Sequence, residues 1–144
     1  MIEKDTIRLL RECDSGIKMG VSAIGDVWDY VSSQSMMKLL ENARSEHEKL
    51  KTDIQSLLNE YHDDGKEPNG MVKGMSWVKT NMKLAVCESD ATIADLMTDG
   101  CNMGVKSLSR YLNQYAAADE RSKTIAKRLI RSESQLAEDM RQYL

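Results

Sequence analysis

Ser15-Gly16-Ile17-Lys18-Met19-Gly20-Val21 and Asp99-Gly100-Cys101-Asn102-Met103-Gly104-Val105 decide how this 144-residue chain is read. Sliding the sequence by 84 positions lays Leu9–Val31 over Ile93–Tyr115, with Gly16 on Gly100, Met19 on Met103, Gly20 on Gly104 and Val21 on Val105. The apolar positions carry over as well: Leu10/Ala94, Cys13/Met97, Ile17/Cys101, Ile24/Leu108, Trp28/Leu112 and Val31/Tyr115. They step by three and four, so each copy is an amphipathic helix with the same face buried. A mid-helix glycine costs roughly 0.5–1 kcal/mol against alanine. The glycines of each copy therefore need a structural reason. One reason is close approach of a neighbouring backbone; the other is room for a ligand or metal in the middle of a bundle.

Around the first copy the sequence predicts a helix from Asp5 or Thr6 to about Val31, with Leu10, Cys13, Ile17, Val21, Ile24, Trp28 and Val31 as its seam. Ser32-Ser33-Gln34-Ser35 makes a short turn with a ready cap for the next helix, which forces the two helices into an antiparallel hairpin. The second helix, Ser35 to Tyr61, carries a heptad seam of Met36, Leu40, Ala43, His47, Leu50, Ile54, Leu57 and Tyr61. A histidine stands in the middle of it. Breakers from His62 to Gly70, Pro68 among them, end this helix.

Met71 to Cys87 is helical in pattern and has no counterpart before the first copy, which makes it a crossover returning the chain along the bundle. The competing reading is one helix from Met71 to Tyr115. Ser89-Asp90 can cap the helix of the second copy. After a break at Tyr115-Ala116-Ala117 a last helix starts at Ala118 or Asp119, with Ile125, Leu129, Glu133 or Ser132, Leu136, Met140 and Tyr143 on its seam. An offset of 86 matches it to the second helix and places Glu133 on His47. The expected fold is all-α, one domain over 1–144: a hairpin at 5–62, a long, partly helical crossover at 63–88 and a second hairpin at 89–144. Duplicated hairpins with one crossover make a ferritin-like four-helix bundle.

Hairpin geometry and the repeat bring Ile17, His47, Cys101 and Glu133 into one layer, with Gly16, Met19, Gly20, Gly100, Met103 and Gly104 packed about the bundle centre. Bundles of this kind build dinuclear metal sites from a Glu on two helices and Glu-x-x-His on the other two. Arg44 and Ile130 stand three residues before His47 and Glu133, so neither helix carries that motif. Two readings remain: His47 and Glu133 pair across the core, or His47, Glu133 and Cys101 hold a single zinc, iron or copper ion. No phosphate-binding loop, dinucleotide fingerprint, nucleophile elbow or HExxH occurs. Cys13 and Cys101 lie on buried seams, where thiols are inert.

Composition narrows the class. One proline, eight glycines and no phenylalanine suit a helical protein, and most of its ten methionines stand at helical spacing on apolar faces, which suits core filling. A net charge of −3 gives no sign of nucleic-acid binding, and the basic side of the last helix (Arg121, Lys123, Lys127, Arg128, Arg131) reads as a solvated face. No apolar run approaches the roughly 20 residues of a membrane span. Met1-Ile2-Glu3-Lys4-Asp5 lacks a signal-peptide pattern, and three cysteines without CxxC spacing fit reduced thiols, so the expected compartment is the cytoplasm.

With its duplicated hairpins the chain resembles small bacterial ferritin-like proteins of unassigned function, whose repeat helices carry an aspartate-glycine-glutamate step with a cysteine shortly before it. Cys13, Gly16, Asp99 and Gly100 match that pattern. The resemblance spans essentially the whole chain and implies the fold. It places the family's glutamates at Ile17 and Cys101, where this sequence has none. The functional expectation is a non-enzymatic scaffold or interaction module, with a homodimer as the simplest assembly and no other partner identified. The alternatives are a metal-binding or redox protein using His47, Glu133 and Cys101, and a carrier of an apolar ligand in the space left by Gly20 and Gly104.

Overall fold

A computed structural model describes residues 2–68 and 89–144. Four long α-helices account for most of them: α1 (Ile2–Trp28), α2 (Gln34–Glu60), α3 (Asp90–Gln114) and α4 (Glu120–Met140), followed by a 3-10 turn at Arg141–Tyr143. There is no strand among the described residues. The pattern at Met71–Cys87 lies outside the described residues. Ser89 is extended (φ −142°, ψ 154°), so α3 starts afresh there and no single helix runs from Met71 to Tyr115.

Three helix starts are written in the sequence as side-chain caps. Ser33 Oγ accepts from Met36 N at 3.2 Å, Ser89 Oγ from Thr92 N at 3.2 Å, and Asp119 Oδ1 from Ser122 N at 2.8 Å. Each satisfies an N–H that the first turn would leave unpaired. The first helix departs from expectation. It begins at Ile2 and stops at Trp28, not at Val31. Asp5 and Thr6 lie inside it and serve a different turn: Asp5 Oδ2 accepts from Ala117 N at 3.1 Å and Thr6 Oγ1 from Asp119 N at 2.8 Å. A residue type suited to capping has been used to hold the α3–α4 connection.

These bonds fix the direction of every helix. The start of α1 lies against the end of α3. At the other end of the bundle, Asp90 at the start of α3 accepts from Ser32 N and Ser33 N at 2.9 and 3.0 Å, next to the α1–α2 turn. Arg121 on α4 meets Glu60 at the end of α2 at 3.2 Å. The order is therefore up, down, down, up: α2 ends at one end of the bundle and α3 begins at the other. α1 packs on α2 and α3, α4 packs on the same two, and α1 also reaches α4 across the diagonal.

After α2 the chain turns through His62 (φ 56°) and Gly65 (φ 89°) and lies back along α1. Asp63 pairs with Arg11 at 2.8 Å, and Lys18 pairs with Glu67 at 3.0 Å. Asp14, 1 % exposed, accepts from Lys66 N at 3.0 Å and pairs with Lys18 at 2.8 Å. A Cβ at Gly65 would fall 2.3 Å from Asp14 Oδ2, so glycine is needed there both for φ and for space.

The core has two halves. Leu9, Leu10, Ile17, Leu50, Ile54 and Leu129 belong to one, at the end where α1 starts. Ile24, Val27, Met36, Leu40, Ile93 and Met140 belong to the other, at the end with the α1–α2 turn. The heptad seam of α2 holds from Met36 to Ile54, but its last buried residue is Leu58, with Leu57 only partly covered. A straight helix drifts by about 20° per heptad, and after three heptads the drift of about 60° exceeds half of the roughly 100° between successive residues, so Leu58 lies nearer the buried stripe than Leu57. No described helix is long and apolar enough to cross a membrane.

Candidate functional site

Between the two apolar halves sits one polar layer with a residue from each helix. His47 on α2 and Glu133 on α4 face each other, Nε2 to Oε1 at 3.5 Å. Both are buried, at 2 % and 6 % exposure. Gly20 on α1 and Gly104 on α3 supply the room. A Cβ at Gly20 would come within 2.9 Å of His47 Cδ2 and Nε2, and a Cβ at Gly104 within 1.8 Å of Glu133 Oε2. Gly20 and Gly104 are thus explained by a side-chain pair, whereas an added Cβ at Gly16 would meet only Leu129 and Leu108 at ordinary contact distance. Residues related by the offsets noted in the sequence, Gly20 and Gly104 by 84 and His47 and Glu133 by 86, meet in this one layer.

Hydrogen bonding fixes the imidazole's tautomer. His47 Nδ1 lies 2.8 Å from Ala43 O. A carbonyl can only accept, so Nδ1 carries hydrogen. Nε2 is then either bare and facing a protonated carboxyl, or protonated and facing a carboxylate. Burial raises the affinity of Glu133 for its proton above that of a free glutamate, and the hydrogen bond and charge of His47 oppose this less strongly. With one proton between them the pair is neutral overall. Glu133 Oε2, by contrast, is buried without a hydrogen-bond partner among the described residues. A buried carboxylate oxygen in that condition is uncommon enough to need an explanation.

Beside the layer, between α1 and α3, lies a cavity of about 180 Å³. His47 and Glu133 line it together with Gly20, Gly104, Met97 and Cys101, and Gly16, Met19, Gly100 and Met103 complete part of the wall. Most of the expected central residues therefore gather here. Two placements need correcting. Ile17 is fully buried but belongs to the apolar half below the layer, and Gly20 takes the α1 position opposite His47. Met103 is 43 % exposed and does not pack in the bundle centre. It stands two residues, about 200° of helical turn, from buried Cys101.

The donor set does not fit a dinuclear metal centre, since the layer brings only His47 and Glu133 face to face and Ile17 on α1 offers no ligand. Among the described residues no group of three His, Cys, Asp or Glu side chains is arranged to hold a metal ion. Cys101 is buried, and burial followed by the Glu133 charge pushes its thiol up to about 12. Cys13 is likewise pushed up to about 12, first by burial and then by Glu12, Asp14 and Glu133. Both are neutral thiols at physiological pH and weak as ligands or nucleophiles in that form.

The basic side of α4 is not simply solvated. Arg128 pairs with Glu46 at 3.1 Å and with Asp53 at 3.9 Å, and Arg121 pairs with Glu60, so these cations brace α4 against α2. Sequence reasoning missed the buried anchor at Asp14. The signal available was the i,i+4 spacing of Asp14 and Lys18 on the inner side of α1. Compared with protein-family models, curated proteins and solved structures, the chain matches none, so its functional reading rests on the residues just described.

Proposed function

We propose that this chain is a ferritin-like helical bundle without catalytic chemistry, a cytoplasmic scaffold or interaction module in which a His47–Glu133 pair stands where related bundles hold metal ligands. The up-down-down-up chain path and the sequence repeat support the ferritin-like reading. The observation that carries the functional part is the layer itself. His47 and Glu133 face each other at 3.5 Å, Gly20 and Gly104 make space for them, and Ile17 offers no donor. Buried neutral thiols and an odd cysteine count support the cytoplasm.

Elemental analysis tests this reading. Untagged protein purified without chelator, then incubated with Fe(II), Mn(II) or Zn(II) and desalted, should retain no stoichiometric metal. His47→Ala should change stability alone. One equivalent of metal, lost in His47→Ala, would establish the second reading, a mononuclear metal or redox protein. The unpartnered Glu133 Oε2, on the carboxyl whose Oε1 faces His47 Nε2, is the observation that favours that reading.

A further inference from the structure

We propose that the cavity between α1 and α3 is a binding site for a small, uncharged, mostly apolar molecule carrying one hydrogen-bond donor, of the phenol type, which donates to Glu133 Oε2. This rests on the metal-free reading above, because a metal on Glu133 would occupy the same oxygen.

Four features define the ligand. The first is size. The cavity is about 180 Å³, and an apolar cavity of about 150 Å³ is large enough for benzene. A single six-membered ring with one small substituent is the right bulk. The second is the lining. Met97, Cys101 and the bare backbones of Gly20 and Gly104 offer an apolar and closely approachable wall, which suits a flat ring.

The third feature is the polar atom. Glu133 Oε2 is buried and unpartnered, and Glu133 is one of the residues that line the cavity. If the shared proton lies on Oε1, Oε2 is a carbonyl oxygen; if the proton lies on His47 Nε2, Oε2 belongs to a carboxylate. It accepts in either state, so its missing partner is a donor. The fourth is charge. The pair holding one proton is neutral and Glu12, the other carboxylate on the cavity wall, is already paired with Lys66, so an ammonium ion would bring an uncompensated charge into the site. A hydroxyl does not. Met103, partly exposed and on the cavity wall, puts one side of the site at the surface, where a ligand can enter.

The test is a set of ¹H–¹⁵N NMR titrations on full-length protein shown by elemental analysis to be metal-free. Phenol is compared with toluene and benzylamine at millimolar concentrations. Phenol should give saturable shifts at Gly20, Cys101 and Gly104. It should bind about tenfold or more tighter than toluene, the worth of one hydrogen bond to a charged or buried acceptor. Glu133→Leu should abolish that preference, leaving phenol and toluene equal. Ala23→Leu narrows the cavity without touching the pair and should weaken both. The proposal is overturned if phenol gives no saturable shifts, if toluene binds as well as phenol to the wild type, or if benzylamine binds more tightly than either. Because metal content is measured on the same sample, a bound ion would be recognised as failure of the metal-free reading and not of the ligand chemistry.

Discussion

Replacing Gly104 by alanine puts a methyl group where Glu133 now lies. Its carbon would be 1.8 Å from Oε2, 2.8 Å from Cδ and 3.1 Å from Oε1, so the whole carboxyl must move. Moving it breaks the contact with His47 Nε2, and a buried group that loses its partner costs about 1–3 kcal/mol. Crowding adds about 1 kcal/mol at the low end of overpacking, because the obstacle is the tip of a flexible side chain. Alanine's better helix propensity returns about 1 kcal/mol. The net expectation is a loss of about 1–3 kcal/mol, a sizeable part of a small domain's stability. Gly25 is the internal control. It lies in the last turn of α1, and nothing lies within 4 Å of its added Cβ, so Gly25→Ala should stabilise by up to about 1 kcal/mol. Urea unfolding followed by far-UV circular dichroism measures both. In a Glu133→Ala background Gly104→Ala should also become stabilising, giving a coupling of roughly 2 kcal/mol or more against the 0.3–0.5 kcal/mol of independent sites. If Gly104→Ala stabilises as Gly25→Ala does, with no coupling to Glu133, the explanation of the repeat glycines is wrong.

Further expectations concern charge, thiols and the inter-hairpin contacts. The folded state raises the proton affinity of Glu133, so this group's contribution to stability is full below the pKa of an unfolded glutamate and is lost as pH rises through the folded value. Wild type should therefore lose stability relative to Glu133→Gln as pH is raised from the ordinary glutamate range, seen in urea midpoints across a pH series; a flat difference would contradict it. Cys13 and Cys101, with thiols pushed up to about 12, should resist iodoacetamide near pH 8 until urea unfolds the chain, as read by peptide mass spectrometry. Asp90→Ala removes the acceptor for Ser32 N and Ser33 N and should cost about 1–2 kcal/mol. Asp90→Asn should recover part of it, and equal stability of all three proteins would show that α3 does not start beside the α1–α2 turn.

How much of this was legible in the sequence varies by element. The four described helices and their hairpin pairing were, because the three- and four-residue spacing and the serine and aspartate caps are local signals. His47 and Glu133 as a cross-core pair were legible too, since the two offsets place them at equivalent points of the repeat. The partners of Gly20 and Gly104 were not. Spacing shows that a glycine sits on the inner face, but which side chain needs the room depends on the relative height of four helices, and an error of one turn put Ile17 where Gly20 belongs. Asp5 and Thr6 misled for a related reason. Their capping propensity is real, but the N–H groups they satisfy lie more than a hundred residues away. The last turn of α2 slipped from Leu57 to Leu58 because a strict heptad and a 3.6-residue helix part company over its length.

The account turns on whether His47 and Glu133 form one hydrogen-bonded unit in the bundle centre. Long-range ¹H–¹⁵N NMR of the histidine ring tests that directly, with His62→Gln to assign the second histidine. The structure predicts a slowly exchanging proton on Nδ1, held by Ala43 O, and an Nε2 resonance that moves when Glu133 is changed to Gln. A ring carrying its proton on Nε2 alone, or one whose Nε2 ignores Glu133→Gln, would separate the two residues and remove the layer on which the functional reading stands.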